Sequence, residues 1–180
     1  GQVTGVESQT GKLVADRIVV AGGAWSSILL EPLGYSCQVE PVRGQMILYK
    51  AEPGWLSRMI QFDRRYLIPR RDGRILVGST VEFVGFKKET TQEGIEILHQ
   101  TAIQLMPCLE NCPLEHQWAG LRPGKKDHLP LIGPHPSIKG LYIHTGHFRN
   151  GIVLSLATSH LLTCLITNKP TPINPAPFLP

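Results

Sequence analysis

Arg122 lies where rigid backbone aims a guanidinium, in Trp118-Ala119-Gly120-Leu121-Arg122-Pro123-Gly124 followed by Lys125-Lys126-Asp127. It ends an apolar stretch, and the proline after it fixes the local backbone. Two-point recognition of a carboxylate requires such aiming, and lysine substitutes poorly there. A surface arginine pairing with Asp127 fits the same spacing, so both readings stand. A second group is Gly146-His147-Phe148-Arg149-Asn150-Gly151, ahead of a long apolar segment. Its glycines let backbone N–H groups come close to a ligand at a positive helix terminus. A plain glycine-bracketed turn is the alternative. His147 is the best titratable candidate of the chain, with a structural helix-cap role favoured over a chemical one. Gly22-Gly23-Ala24 is the third group. It is too short for the G-x-G-x-x-G turn that seats a pyrophosphate on a helix, and a tight strand-to-helix turn accounts for it.

No acid–base dyad and no metal-ligand set emerges. The four cysteines (Cys37, Cys108, Cys112, Cys164) form no CxxC pair and no histidine follows at zinc-finger spacing, so free thiols in a reducing compartment are expected. A net charge of +4 is spread along the chain. Its densest runs, Arg64-Arg65 and Arg70-Arg71 with Arg74, are interleaved with strand-like residues. A pocket for a small anion explains that excess better than nucleic acid does. No run of 18 apolar residues or charged-then-apolar leader is seen, so neither a membrane partner nor secretion is expected and the cytoplasm is. The first residue is Gly rather than Met, and the chain is expected to start inside a longer protein.

The elements that must position these groups are nested. A strand over residues 2–6, a turn over 7–11 and a strand over 12–21 open the chain. The apolar run Ile18-Val19-Val20-Ala21 is expected of a parallel strand covered on both faces. A short helix follows over 24–33. Strands over 45–49, 65–69 and 74–79 come next, the last two joined by a hairpin at Arg71-Asp72-Gly73. Ile95, Leu98, Ala102 and Leu105 recur at helical spacing over 91–106, with Thr91 or Thr90 as cap and Glu93 in the first turn. Strands over 114–121 and 141–144 and a helix over 150–167 complete the pattern, and the proline-rich end from Pro170 is expected to lack regular structure. The fold class is thus α/β plus α+β, with strand–turn–helix segments at both ends and an antiparallel sheet between them.

Five segments in this order resemble one family: VVAGGAWS (19–26), PVRGQ (41–45), YLIPRRDGRILVGST (66–80), WAGLRPGKKD (118–127) and GHFRNGI (146–152). They are similar to the C-terminal half of flavoproteins of the D-amino-acid oxidase and sarcosine oxidase superfamily, and GHFRNG resembles the glycine oxidase branch. The resemblance implies a partial Rossmann-like FAD domain from 1–40 and 130–169, an antiparallel-sheet substrate domain from 41–129, and a tail over 170–180. It implies that Arg122 binds the substrate carboxylate, that Tyr66 adds a hydroxyl hydrogen bond, and that Arg149 stands near the pocket mouth. Val81 takes a position where a longer Met is found, so a larger cavity follows; Arg64 and Arg65 replace less basic neighbours and bear on substrate preference. The backbone of Gly146, His147, Phe148, Asn150, Gly151 and Ile152 would meet the pyrimidine edge of the isoalloxazine, where donors offset charge on the reduced ring. Ala21, Gly22 and Gly23, with the neighbouring Trp25, would pass near the adenosine-diphosphate portion. Gly120 occupies the position of a flavin-linking cysteine in covalent sarcosine oxidases, which implies noncovalent FAD.

The implied reaction moves a hydride from the α-carbon of glycine or a similar small amino acid to the flavin. The imine hydrolyses to an oxo acid and ammonia, and dioxygen is reduced to hydrogen peroxide. Such chemistry asks the protein for geometry rather than a strong base. A sarcosine or broader D-amino-acid oxidase uses the same groups. An inert half that pairs with a separate N-terminal half stands as a reading of another class. A homo-oligomer, and a product feeding a pathway such as thiamine biosynthesis, are left open.

Overall fold

Gln9 and Thr10 make a two-residue turn, from which β1 (Gly5–Ser8) and β2 (Gly11–Val14) run antiparallel with Ser8 opposite Gly11. The first strand therefore starts three residues later than expected, and Gln2 makes only an isolated bridge to Lys139. The run read as one strand over 12–21 is broken at Ala15-Asp16-Arg17. Its first part stays in the hairpin, where Val14 is 85% exposed, and its second part, β3 (Ile18–Val20), joins a different sheet. Gly23, at φ 56°, turns the chain into a 3-10 turn (Gly23–Trp25), then α1 (Ser26–Leu30) and a second 3-10 turn (Glu31–Leu33). The single helix expected over 24–33 is three short pieces because Pro32 has no N–H to return to Ile28 and Gly34 stops the turn at φ 74°.

The computed structural model describes residues 1–180. Its contacts divide them into one unit of Gly1–Pro41 with Arg122–Pro180 and another of Val42–Leu121. The division falls between Leu121 and Arg122 rather than after residue 129, and the tail belongs to the first unit.

Alternation builds the second unit. Strands β4 (Glu40–Tyr49), β5 (Ile60–Phe62), β6 (Arg65–Pro69) and β7 (Ile75–Gly78), helix α2 (Gln92–Leu105) and strand β8 (Leu114–Gly124) give a sheet ordered β5-β6-β7-β4-β8. Side chains of one parity (Ile47, Tyr49, Leu67, Ile75 and Val77) form a buried cluster with Ile95, Leu98 and Ala102 of α2. Each such side chain contributes about 1.5–3 kcal/mol by leaving water. The expected hairpin closes at Gly73, at φ 93°, whose N–H donates to the Arg70 carbonyl. Thr91 caps α2 by accepting from the Gly94 N–H at 3.2 Å. β5 has no counterpart among the expected strands, since three residues carry no readable period. β8 continues through Arg122 and Pro123 instead of ending at Leu121, and a proline is admitted because β8 is the outermost strand.

In the first unit, β3 runs parallel to β10 (Leu141–Thr145), which runs antiparallel to β9 (Leu131–Pro134). Helix α3 (Gly151–Thr167) follows. Leu141 and Ile143 pack with Leu30, Val39 and Leu131 on one side; Tyr142 joins Ile132, Leu161 and Leu162 of the other cluster. β3 is an edge strand whose faces are not both covered as expected: Val19 is exposed and Ile18 and Val20 are half-buried. β9 escaped the sequence pattern because Pro130, Gly133 and Pro134 punctuate it. The stretch Phe148–Thr167 has the length and hydropathy of a membrane span, although none was expected. Thr158, Leu161, Leu162 and Cys164 are buried on its core side. The tail was expected to be irregular, yet it folds a 3-10 turn at Ala176–Phe178 and lays Phe178 on Ile132, Leu161 and Leu162.

Candidate functional site

In the second unit, Met46, Gly78 and Tyr66 stand side by side across β4, β7 and β6, on the sheet face opposite α2. The Tyr66 hydroxyl donates to the Met46 sulfur at 3.6 Å. Gly120 lies in β8 with open space where a side chain would project. Val81 lines a different recess: with Arg64, Arg65, Thr80, Glu93 and Gly94 it borders a cavity of about 400 Å³ beside the first turn of α2. Tyr66 is not on that wall. That cavity is floored by a network that gives the PVRGQ segment a role. Arg43 is buried and pairs with Glu82, and its guanidinium also donates to the Glu89 carbonyl at 3.0 Å. The Gln45 amide donates to Glu82 at 2.8 Å and to Thr91 at 2.9 Å, while its oxygen accepts from the Thr91 N–H at 2.8 Å. A Cβ at position 94 would run into the Gln45 amide and push it out of this network. Burial pushes the Glu82 carboxyl up, but hydrogen bonds from Thr80, Arg43 and Gln45 outweigh it and hold the pKa below the ordinary value.

In the first unit, Ala21, Gly23, His147, Phe148 and Gly151 come together with Pro123 around a cavity of about 240 Å³ at the carboxyl ends of β3 and β10. Ligands of open α/β sheets bind in such crevices. Gly22, Trp25, Gly146, Asn150 and Ile152 are not on its wall; Ile152 is 92% exposed and Trp25 partly so. Gly22 is closely packed, since a Cβ there would meet Leu29 Cδ1 at 2.8 Å. The turn is tied to β10: Ser26, fully buried, donates to Thr145 at 2.8 Å, and Thr145 donates to the Gly23 carbonyl at 3.0 Å. This accounts for the serine and threonine that flank the two segments, a pairing across 119 residues that no local pattern shows.

His147 makes no capping hydrogen bond, contrary to the cap expected of it. Its Nε2 lies 3.1 Å from the Thr158 hydroxyl, whose own proton goes to the Leu154 carbonyl at 2.9 Å. Nε2 must then carry the hydrogen, leaving Nδ1 as an acceptor. His144, overlooked in the sequence, lies edge-on to His147 with ring centroids 4.8 Å apart. Burial lowers both imidazole pKa values, and for His147 the neighbouring His144 lowers it further. Both are neutral at physiological pH. The wall of this cavity carries no charged side chain, which suits an uncharged part of a cofactor.

Arg122 and Arg149 belong to this same unit. The Asp127 carboxylate pairs with Lys125 and accepts from the Leu129 N–H at 3.0 Å. Arg149 is the middle residue of the 3-10 turn Phe148–Asn150 that leads into α3.

Residues 1–165 match the family described as FAD dependent oxidoreductase. The chain is 48% identical to the glycine oxidase of Pseudomonas putida over 180 residues, covering 100% of this chain and 49% of that protein. It is 34% identical to the glycine oxidase of Bacillus subtilis over 169 residues, covering 94% of this chain and 46% of that protein. The crystal structure of glycine oxidase from Geobacillus kaustophilus superposes with a TM-score of 0.92 at 32% identity, over 98% of this chain and 49% of that one. The chain thus spans about half the length of the curated relatives it matches.

Proposed function

This chain belongs to the FAD-dependent oxidoreductase family, and from that premise we propose that it forms the substrate-side half of an oxidase acting on glycine or a similarly small amino acid. The likeness to glycine oxidases along the whole chain carries this reading. Bound noncovalently, FAD would take the hydride from the substrate's α-carbon and pass the electrons to dioxygen. The residues present fit that group: open space lies over Gly120, and the uncharged cavity of Ala21, Gly23 and His147 offers bare backbone for close approach.

The chain's own part is binding and orientation. Arg122 holds the substrate carboxylate through two N–H donors, and Tyr66 adds a hydroxyl. Fixing the carboxylate at two points leaves the α-carbon only rotation about a single bond, and such restriction is where rate is gained when no proton has to be moved by a strong base. Arg149 stands at the entrance, and the backbone from Gly146 to Ile152 meets the flavin ring. Ammonia, an oxo acid and hydrogen peroxide are the products. The aliphatic side chains Ile152, Val153 and Leu156, each more than 80% exposed, and the unpaired edge of β3 suit covering by a further half of the protein. That half would carry the phosphate-binding turn. Relatives at 39% and 40% identity are named bifunctional protein ThiO/ThiG, and a role in thiamine biosynthesis fits.

The test uses the full-length, FAD-loaded protein. Peroxide formed from glycine is expected, and Arg122→Ala should weaken binding of a carboxylate substrate by about 2–5 kcal/mol, as when one partner leaves a desolvated charge pair. Turnover confined to sarcosine or bulky D-amino acids would reassign the substrate, and an unchanged KM would remove Arg122 from its role. A full-length protein that binds no FAD would remove the oxidase reading altogether.

A further inference from the structure

Tyr66 spends its hydroxyl on a weak partner. Its only recorded hydrogen bond goes to the Met46 thioether at 3.6 Å, and sulfur of this kind is a poor acceptor beside a carboxylate. The two side chains are brought together by the sheet itself. Met46 and Tyr66 both face Gly78 in register, one from each side. A Cβ on residue 78 would collide with the Met46 sulfur and meet Tyr66 Cε2 at 3.0 Å. The missing side chain at 78 is therefore the space in which the thioether and the phenol touch. Tyr66 and Met46 are both half-buried, on the face not used by α2.

We propose that Met46 is a positioning residue that holds the Tyr66 hydroxyl through a bond weak enough for a substrate carboxylate to displace. This rests on the reading that Tyr66 donates to that carboxylate. A free phenol in this place would bond to water in any of several directions. A full-strength acceptor would keep the hydroxyl from the substrate. A thioether does neither: it fixes the direction of the O–H and yields it to an anion. No covalent or redox step is involved, since one hydrogen bond is exchanged for a stronger, charge-assisted one.

The experiment uses the full-length, FAD-loaded protein with acetate as the carboxylate probe and glycine as substrate. Met46→Gln supplies a full-strength amide acceptor and should raise the acetate dissociation constant and the glycine KM by roughly five- to tenfold, the scale of one net hydrogen bond, with kcat little changed. Met46→Leu keeps the bulk without the acceptor, and loss of the fixed O–H direction should raise both by about two- to threefold, on the same scale but less than Met46→Gln. In a Tyr66→Phe background the effect of Met46→Gln should vanish. An equal effect of Met46→Gln with and without the Tyr66 hydroxyl, no effect at all, or a Met46→Leu change as large as that of Met46→Gln overturns the proposal. If Met46→Gln does not fold, the unaltered protein still decides. Acetate should shift the Met46 methyl and Tyr66 ring carbon resonances with one midpoint, and a Tyr66 shift that leaves Met46 unmoved overturns the idea. Should Tyr66→Phe alone leave acetate binding unchanged, the role of Tyr66 itself fails, a result distinct from the failure of Met46.

Discussion

Helices α2 and α3 are of similar length and open beside one cavity each, yet they solve opposite problems. α2 is amphipathic: Ile95, Leu98 and Ala102 are buried against the five-stranded sheet, and its first turn is held by Thr91, Gln45 and the Arg43–Glu82 pair. Everything α2 needs lies within its own unit. α3 is apolar nearly all round, buries only Thr158, Leu161, Leu162 and Cys164, and leaves Ile152, Val153 and Leu156 in solvent. An amphipathic helix is matched to one covering layer, whereas a helix apolar on all sides is matched to two. The contrast locates where this half of the family fold is complete by itself and where it offers surface for more.

The contrast is most sharply broken or confirmed by truncating one leucine in each helix. Leu98→Ala should destabilise the second unit by about 3–4 kcal/mol, within the range for a fully buried leucine, read from the midpoint of urea unfolding. Leu156→Ala in the same chain should change stability by less than about 0.5 kcal/mol, as for a surface site. If Leu156→Ala proves as damaging as Leu98→Ala here, α3 has a cover that the structure does not show. If it becomes damaging only in the longer protein, the face is where the other half packs.

Arg43→Ala comes next. It strands the Glu82 carboxylate and frees the Gln45 clamp, and should cost about 3 kcal/mol, the low end for breaking a buried pair, because Glu82 is partly solvated. Thermal unfolding measures it; a loss no larger than that of an exposed pair would show that the network is ornamental to α2. Thr91→Ala removes the cap and one acceptor of the Gln45 amide, and should cost about 1–2 kcal/mol.

Acidification separates the units more gently. The imidazoles of His144 and His147 have folded pKa values below their ordinary 6.5, so the unfolded chain binds protons first. Their stabilisation is present above about pH 6.5 and is lost as pH falls toward the depressed folded values. Glu82, also depressed, stabilises above its ordinary 4.5 and loses that only below it. The first unit should therefore loosen at mildly acidic pH while the second holds. Limited proteolysis across pH 7 to 4 checks the order, and His144→Phe should remove only part of the early loss, because burial depresses His147 in its own right and His135 as well. Simultaneous loosening would mean that the imidazoles do not govern it.

What was legible beforehand follows from range. Thr91 with its helix and the Arg71-Asp72-Gly73 hairpin are written in residues a few positions apart, and both were readable. The five landmark segments were also readable, but only as an ordered set. Arg43, Gln45 and Glu82 were not, because their contacts join residues 35 to 46 positions apart. The pairing of Ser26 with Thr145 spans still more chain. Leu13 and Val14 misled for a related reason: apolar residues in a strand pattern say nothing about which sheet they join. Pro123 looked like a strand's end, and only the sheet order shows it inside an outermost strand.

The last five residues carry a consequence for handling and for association. β9 is an outer strand of its sheet, and an unguarded outer strand invites another chain to add to it. Gly133, at φ 154°, leaves a notch in β9 into which Leu179 fits at 2.7 Å from where a side chain would begin, with Pro180 beside it and Phe178 on the core. The proline-rich end is thus a hem on the fabric of the sheet. Its apolar residues hold it down over that notch and the neighbouring core. Trimming it, or replacing it with an affinity tag, would uncover Gly133, Ile132, Leu161 and Leu162, whereas a tag joined after Pro180 leaves that face covered.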